Sequence, residues 1–395
     1  MRRLLLLVLV GLVAVIFTAC GSDDSSKSDG GGGASKPAAS GPFVTAEEAK
    51  AFEDVTGLKP FEKPATAAEL KERVAKYTAT PTELLQTEPV SKKAEPGKRL
   101  AILYTGVPIA IEFFKAKEEA AKKLGWRVTG IDIGTSPEDF AAAYDRAIGL
   151  KPDMVIGSGL PREYFDKQLT TLEEMNTPVI EWSSGVEPVE GHLWVAADNP
   201  LYQAGGIQMS EFIAADSDLK AQVVAFSVKQ FKMIDVFVNT MDDYFEKMCT
   251  TCSFDLQQVA AADIGKLGDK VTAYIQKNPD TNYVLCGFGD LCQGVGTALK
   301  SAGRDDIKIL SRDPATTNYQ NIKNDVEYGA GALPIRQTSY QVIDLAQRIF
   351  NGDDTSASRL MPQQIITKID DPKSDLIGAV PDFEQKYEQL WQLGG

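Results

Sequence analysis

Few residues of this sequence have the types and spacing that covalent chemistry requires. Cys249 and Cys252 form a C-x-x-C pair, a pattern found in redox sites and in halves of zinc sites. His192 is the single histidine, so zinc ligation and Ser-His or Cys-His nucleophilic catalysis both lack suitable partners. A Gly-Phe-Gly turn at 287–289 resembles the start of a dinucleotide-binding fingerprint, but the third glycine comes two residues late. We therefore predict that the protein is not an enzyme and uses neither a metal nor a cofactor.

The first residues predict export from the cytoplasm. Arginines at positions 2 and 3 precede an apolar run over residues 4–17, which is the pattern of a secretory signal peptide. The run ends in Phe-Thr-Ala-Cys, which resembles a bacterial lipobox and implies cleavage before Cys20 and lipidation of its thiol. The alternative is an ordinary signal peptide that is cleaved near Ala19. A tract rich in Gly, Ser and Asp over 21–40 has too little apolar surface to fold, so it suits a tether behind a membrane anchor.

Four further cysteines would reach an oxidising compartment after export. An even number permits two disulfide bonds, and the sequence leaves three connectivities open. For the C-x-x-C pair, a structural bridge across a helix-to-strand turn is the favoured interpretation. The residues that we predict to form disulfides are Cys249, Cys252, Cys286 and Cys292.

Length and charge limit the classes of protein to which this chain can belong. With 395 residues, 43% of them hydrophobic, it can bury the cores of two domains in addition to a tail. Its 41 basic and 55 acidic residues give a formal net charge of -14, which opposes binding to a nucleic-acid backbone. We expect a monomer that does not bind nucleic acid.

Alternating strand and helix patterns would position the site residues. Residues 100–104 form a continuous apolar run typical of a strand covered on both faces, and 113–124 then repeats apolar residues at helical spacing. A strand over 127–133 completes a parallel βαβ unit. The alternation continues to residue 199 and restarts with a helix at 201. We therefore predict an α/β fold with two similar lobes, each with a doubly wound, parallel central sheet.

The order of several short motifs resembles the type I periplasmic solute-binding proteins, in particular the ribose-type sugar-binding group that serves ABC importers. The resemblance covers residues 98–368 and is carried by the order and spacing of the motifs together. They are the first strand with Pro108 after it, KKLGW at 122–126, TPVI at 177–180, VAADN at 195–199, G-x-x-x-AL at 294–299 followed by AGRDDIKILSRD, and YGAGALPIRQ at 328–337.

The resemblance implies two lobes that are joined by a three-segment hinge and close on a ligand. The three crossings are expected near Asp198, Arg336 and Ile366. The implied organisation is a signal peptide over 1–19, a lipidated cysteine and disordered tether over 20–42, an N-terminal extension with helical patches over 43–97, an N-terminal lobe of 98–198 plus 337–365, and a C-terminal lobe and tail of 199–336 plus 366–395.

The family's binding positions follow the carboxyl ends of strands and can be carried over residue by residue. Asp313 falls on the family's aspartate after a second-lobe strand. Ser183 and Ser184, preceded by Trp182, replace an Asp-Arg pair that binds sugar hydroxyls, and Phe288 replaces an asparagine. The predicted ligand-binding residues are Gly106, Ile109, Ser158, Trp182, Ser183, Ser184, Phe288, Asp290, Asp313, Arg336 and Gln337.

These replacements exchange charge for apolar surface, which leaves two ligand classes open. Arg336 could hold the carboxylate of a cyclic or aromatic acid in a two-pronged geometry. Alternatively, Trp182 and Phe288 replace the family's aromatic sandwich and the ligand is a sugar. In both cases the resemblance implies a protein that delivers a small molecule to an ABC transporter permease, and the N-terminal pattern implies that it is held by lipid at the bacterial cell membrane, outside the cytoplasm. The alternative function is a sensor that presents its bound ligand to a membrane receptor.

Overall fold

The computed structural model describes residues 44–134, 136–228, 231–260, 264–361, 363–370 and 376–394. The predicted signal peptide, Cys20 and the tether lie outside the described residues. Within the described ranges, no helix is both long enough and apolar enough to span a bilayer.

The N-terminal extension contains two helices, α1 (Ala46–Thr56) and α2 (Ala67–Tyr77). Each begins with a capping box, in which a threonine and the glutamate three residues later satisfy each other's backbone N–H groups. The pairs are Thr45 with Glu48 and Thr66 with Glu69. Both helices lie within the segment 43–97, for which the sequence predicted an extension with helical patches.

The first lobe is built on a five-stranded parallel sheet with the strand order β2-β1-β3-β4-β5. The central strand β1 is buried from Leu100 to Leu103, as its continuous apolar run predicted. Its strands are β1 (Arg99–Tyr104), β2 (Arg127–Asp132), β3 (Met154–Ser158), β4 (Val179–Trp182) and β5 (Leu193–Ala196), and its helices are α3 (Pro108–Lys123), α4 (Pro137–Gly149) and α5 (Asp166–Glu174).

The second lobe has a six-stranded sheet with the order β11-β10-β9-β8-β6-β7. All neighbouring strands are parallel except β10 and β11, which pair antiparallel. The two-lobed α/β fold is therefore confirmed. The strands are β6 (Gln222–Val228), β7 (Ser253–Val259), β8 (Tyr283–Cys286), β9 (Lys308–Arg312), β10 (Gly329–Ala332) and β11 (Gln364–Ile366), and the helices are α6 (Asn199–Asp216), α7 (Lys232–Met248), α8 (Leu267–Lys277), α9 (Val295–Ser301) and α10 (Thr316–Lys323).

The last two helices lie beside the first lobe. Helix α11 (Ile335–Asn351) packs against α3, after which the chain returns to the second sheet as β11. Helix α12 (Phe383–Leu390) then packs on α11, and Trp391 stacks on Tyr340 with ring centroids 5.5 Å apart. The segment 366–395, which the sequence assigned to the second lobe and tail, thus ends against α11. The lobe boundaries themselves stay a prediction.

The N-terminal extension packs against both lobes. Helices α1 and α2 pack on α6, and Glu211 of α6, which is fully buried, accepts hydrogen bonds from Tyr77 Oη at 2.6 Å and Arg73 Nη1 at 3.2 Å. Farther along, the backbone carbonyl of Glu95 accepts a hydrogen bond from Trp126 Nε1 at 2.9 Å. The extension is therefore an ordered part of the fold over its described length.

The four predicted cysteines form two disulfides, Cys249–Cys252 and Cys286–Cys292. The first closes the turn between α7 and β7, as the C-x-x-C spacing favoured. The second joins the end of β8 to the turn after it. The structure thereby supplies the connectivity that the cysteine count left open.

Candidate ligand-binding site

A cavity of about 100 Å³ lies between the lobes. Thr105 and Ser183 reach it directly after β1 and β4 of the first sheet, while Phe288 and Asp313 reach it after β8 and β9 of the second. Side chains at the carboxyl ends of parallel strands share a crevice, which is where doubly wound sheets bind ligands. The remaining lining residues are Val107, Ile109, Ala110, Phe113, Gly159, Trp182, Tyr202, Phe231, Met233, Ile234 and Leu333.

Aromatic rings from both lobes form much of the cavity wall. Phe113 and Trp182 of the first lobe have ring centroids 4.5 Å apart, and Phe231 and Phe288 of the second pack edge to face at 5.7 Å. Such faces favour a ring or another flat apolar group. A dry apolar cavity of about 150 Å³ holds benzene, so a cavity of this size suits a compact ligand.

Lys117 lies behind this aromatic wall. Its Nζ is 3.7 Å from the centroid of the Trp182 ring and 5.2 Å from that of Phe113, and the side chain is buried. Burial lowers the pKa of this amine well below its usual value. The contact supports the indole from outside the cavity and so helps to fix its orientation.

One end of the cavity carries a connected polar group. Tyr202 Oη donates a hydrogen bond to Asp313 Oδ2 at 3.1 Å and also bonds to Ser183 Oγ. Ser183 and Asp313 both have left-handed backbones, with φ of 54° and 48°. A non-glycine residue in this region costs about 1–3 kcal/mol, and such strain is concentrated at functional sites. Both strained residues directly follow strands, β4 and β9, and both line the cavity.

Arg312 lies directly behind Asp313 and is itself buried. Its Nε is 3.4 Å from Asp313 Oδ1, and its Cζ is 4.2 Å from the centroid of the Tyr202 ring. Burial raises the pKa of Asp313 overall, although the guanidinium of Arg312 and the hydroxyl of Tyr202 both act to lower it. The polar end of the cavity is therefore a carboxylate that is already paired with a cation.

Contacts around the cavity join the two lobes. Thr316 Oγ1 of α10 donates to Glu112 Oε1 of α3 at 3.2 Å, and Lys232 Nζ of α7 lies 3.4 Å from Glu163 Oε2 of the first lobe. The two lobes thus contact each other around the cavity.

Five of the predicted site residues line the cavity together: Ile109, Trp182, Ser183, Phe288 and Asp313.

Three other predicted residues are neighbours of the lining in sequence. Gly106 lies between two lining residues, Ser184 follows one and is buried, and Ser158, whose side chain is not described, precedes Gly159. Asp290 is buried behind Phe288, where burial raises its pKa and the backbone N–H of Ile109, from the opposite lobe, lowers it.

The structure places the last two predicted residues elsewhere. Arg336 donates two hydrogen bonds to Glu119, at 2.7 and 2.8 Å, and one to Glu384 at 2.6 Å. Gln337 accepts a hydrogen bond from the backbone N–H of Val380 at 2.7 Å. Because α11 packs against α3, the first turn of α11 directs Arg336 to carboxylates on neighbouring helices. The prediction that Arg336 binds a ligand carboxylate in the cavity is therefore not supported.

Sequence reasoning missed several lining residues and Arg312. Phe113 lies on α3, Tyr202 lies near the start of α6, and Phe231 and Met233 lie just before and at the start of α7, so none of them directly follows a strand end. The signal for Arg312 was its position beside Asp313 at the end of a predicted strand. A charged residue at the end of an otherwise apolar strand needs a partner nearby.

Comparison with known proteins gives the family. A model of the periplasmic binding protein domain matches residues 102–354. This chain belongs to that family. The family is one of solute-binding domains rather than of enzymes, which agrees with the sequence prediction. The matched region begins after the N-terminal extension, so the extension is an addition to the family's domain.

Solved structures with low sequence identity share the fold of this periplasmic binding protein. A 5-methylthioribose transporter solute-binding protein from Thermotoga lettingae, in complex with 5-methylthioribose, has a TM-score of 0.64 and 14% identity, over 77% of this chain and 100% of that one. An ABC sugar transporter subunit from Rhodobacter sphaeroides has a TM-score of 0.60 and 17% identity, over 69% and 99%. A XylFII–LytSN complex has a TM-score of 0.57 and 18% identity, over 69% and 99%. Among curated proteins, no match was found.

Proposed function

We propose that this protein captures a small solute between its two lobes and delivers it to the permease of an ABC importer. The observation that carries the proposal is the cavity, whose lining comes from the strand ends of both sheets. A ligand that touches both lobes stabilises the closed arrangement over an open one, so ligand capture and lobe closure are coupled. The lobes would be 98–198 plus 337–365 and 199–336 plus 366–395, with the hinge at the three crossings.

The ligand that the cavity favours is a compact cyclic or aromatic molecule with few hydroxyl groups. The walls are mostly apolar, and the polar groups converge at Ser183, Tyr202 and Asp313. A hexose needs hydrogen bonds around its whole ring, because a buried polar group without a partner costs about 1–3 kcal/mol. A ligand carboxylate would lack the partner that the sequence predicted for it, since Arg336 binds Glu119 and Glu384.

We further propose that the protein is exported and held at the bacterial membrane by lipid on Cys20. The support is the N-terminal pattern alone: the arginines, the apolar run and the tract that suits a tether.

The second candidate function is ligand sensing through a membrane receptor. The observation that favours it is the structural similarity to XylFII, which was solved in complex with a second protein, LytSN. Both functions require the same ligand cavity. Co-purification from detergent-solubilised membranes distinguishes the two functions. The protein that co-purifies is an importer permease in the first case and a sensor protein in the second, and the two differ in their response to ATP.

The test of solute binding begins with native mass spectrometry of freshly purified protein. A thermal-shift screen of sugars against cyclic and aromatic alcohols and acids then follows, because a ligand that binds the folded state raises the melting temperature by mass action. We expect hits among sparsely hydroxylated ring compounds. Arg304→Gln, which changes a residue paired with Asp306 outside the cavity, is the matched control. Equal affinity of a hit for wild type, Trp182→Ala and Asp313→Ala would place the site elsewhere and overturn the proposal.

A further inference from the structure

We propose that Arg312 makes the cavity select a neutral ligand with a hydroxyl group over a cation or an anion of the same shape. The inference rests on the proposed function and adds the charge class of the ligand. It comes from the pairing of Arg312 with Asp313, the one charged side chain among the described residues that line the cavity.

The cavity lining by itself would suit a cation. Aromatic faces of Trp182, Phe113 and Phe288 surround a space that also contains the carboxylate of Asp313. Aromatic rings attract cations through their quadrupoles, and an ionised carboxylate strengthens that attraction. A ligand with an ammonium group would therefore be the first expectation from the lining residues alone.

Arg312 reverses this expectation because it already supplies the positive charge. Its Nε lies 3.4 Å from Asp313 Oδ1, and both side chains are buried. The guanidinium is held between rings, with Cζ 4.2 Å from the Tyr202 centroid and 5.2 Å from that of Phe237. A cationic ligand would add a third charge to a buried pair, and an uncompensated buried charge is strongly unfavourable. An anionic ligand would meet the carboxylate of Asp313 at close range.

The fold is built to place the guanidinium at this position. A Cβ atom on Gly205 of α6 would lie 1.9 Å from Arg312 Nη1, so only glycine leaves room for the arginine. Glycine inside a helix costs about 1 kcal/mol relative to alanine, which the close approach of Arg312 explains. Arg312 Nη1 also donates to Gln363 Oε1 at 3.3 Å. The side chain is thus held by a helix, two rings and an amide.

The paired carboxylate still has room to accept a hydrogen bond from a ligand. Asp313 Oδ2 accepts one from Tyr202, and a carboxylate offers about four acceptor sites. Because the guanidinium of Arg312 favours the ionised form of this carboxyl group against the effect of burial, a ligand hydroxyl would donate a charge-assisted hydrogen bond, which is stronger than a bond between neutral groups. A neutral alcohol therefore gains at the polar end of the cavity without adding a charge.

Benzyl alcohol, benzylammonium and benzoate test the inference, because they share one ring and differ in charge. Calorimetric titration at neutral pH should show that wild type binds benzyl alcohol at least about tenfold tighter than either ion. In Arg312→Met, the affinity for benzylammonium relative to that for benzyl alcohol should rise by roughly tenfold or more, because Asp313 loses its cation. Arg312→Lys should retain the wild-type order. The matched control is Arg304→Met, which removes the same charge from a pair with Asp306 outside the cavity and should change none of the ratios.

A second variant keeps the test decisive if Arg312→Met does not fold. Asp313→Asn leaves the guanidinium without its carboxylate, so the affinity for benzoate relative to that for benzyl alcohol should rise in this variant. Unchanged ratios in whichever variants fold, or a wild type that prefers benzylammonium, would overturn the inference while leaving solute binding intact. If none of the three probes binds wild type although another solute does, the neutral ring-alcohol class is wrong and the inference is overturned with it. If a solute binds Trp182→Ala and Asp313→Ala as tightly as it binds wild type, the proposed site itself is wrong.

Discussion

Replacing Glu211 by glutamine should change how the stability of the protein depends on pH. This glutamate lies on α6, is fully buried, and accepts hydrogen bonds from Tyr77 and Arg73 of the N-terminal extension. Burial raises its pKa from 4.5 to about 7, against the opposing effects of Arg73 and Tyr77. The folded protein therefore holds this proton more tightly than the unfolded chain does.

The sign and size of the effect follow from proton linkage. Because the folded pKa is the higher one, the stability contribution is fully present below pH 4.5 and is lost as the pH rises through about 7. One pKa unit corresponds to about 1.4 kcal/mol, so a shift from 4.5 to about 7 corresponds to roughly 3 kcal/mol over the whole range. Between about pH 5 and about pH 8 the loss is about 2–3 kcal/mol.

Urea unfolding of wild type and Glu211→Gln at these two pH values measures this loss. Glutamine does not titrate, so the stability of the variant relative to wild type should rise by about 2–3 kcal/mol from the lower to the higher pH. Any constant cost of replacing the carboxylate beside Arg73 cancels in this comparison. Asp218→Asn is the control, because Lys71 lowers the pKa of this exposed carboxylate and its titration falls below the window. Parallel pH profiles for wild type and Glu211→Gln would refute the reasoning.

Three further predictions concern the ligand, the disulfides and the anchor. Trp182→Ala should weaken benzyl alcohol binding by about 2–3 kcal/mol through lost aromatic burial, measured by calorimetric titration; an unchanged affinity would contradict the site. The folded, mature protein should react with a thiol reagent only after reduction, and peptide mapping should recover the two disulfides described above; free thiols in the native state would contradict them. Cys20→Ala should move the protein from the membrane fraction to the soluble fraction, whereas retention in membranes would argue against lipidation at this residue.

Hydrophobic patterning was sufficient to predict the order of strands and helices. The continuous apolar run of β1 and the helical spacing of α3 depend on local sequence, and burial on both faces of a parallel strand leaves an unmistakable pattern. The same applies to the capping boxes of α1 and α2, because each cap involves residues only three positions apart. The family model and the two sheets confirm this part of the prediction.

Strand ends were also a sound guide to part of the candidate site. Trp182, Ser183, Phe288 and Asp313 follow strands, and parallel topology brings the carboxyl ends of those strands to one crevice. Their clustering is thus a consequence of topology, which the sequence pattern does indicate. Whether they bind a ligand stays a prediction until the binding tests are made.

The sequence by itself determined the order of strands along the chain, the two lobes and the strand-end residues that face the cleft, because hydrophobic periodicity is a property of local segments and the alternation of strands and helices limits the topology. Only the tertiary structure decided the partners of charged groups that are far apart in sequence: Arg336 with Glu119 and Glu384, and Glu211 with Arg73 of the extension. These pairs join residues from different elements, and which charge meets which depends on how the helices pack. A linear pattern contains no signal for that choice, since the energy of an ion pair depends on distance and burial rather than on sequence separation.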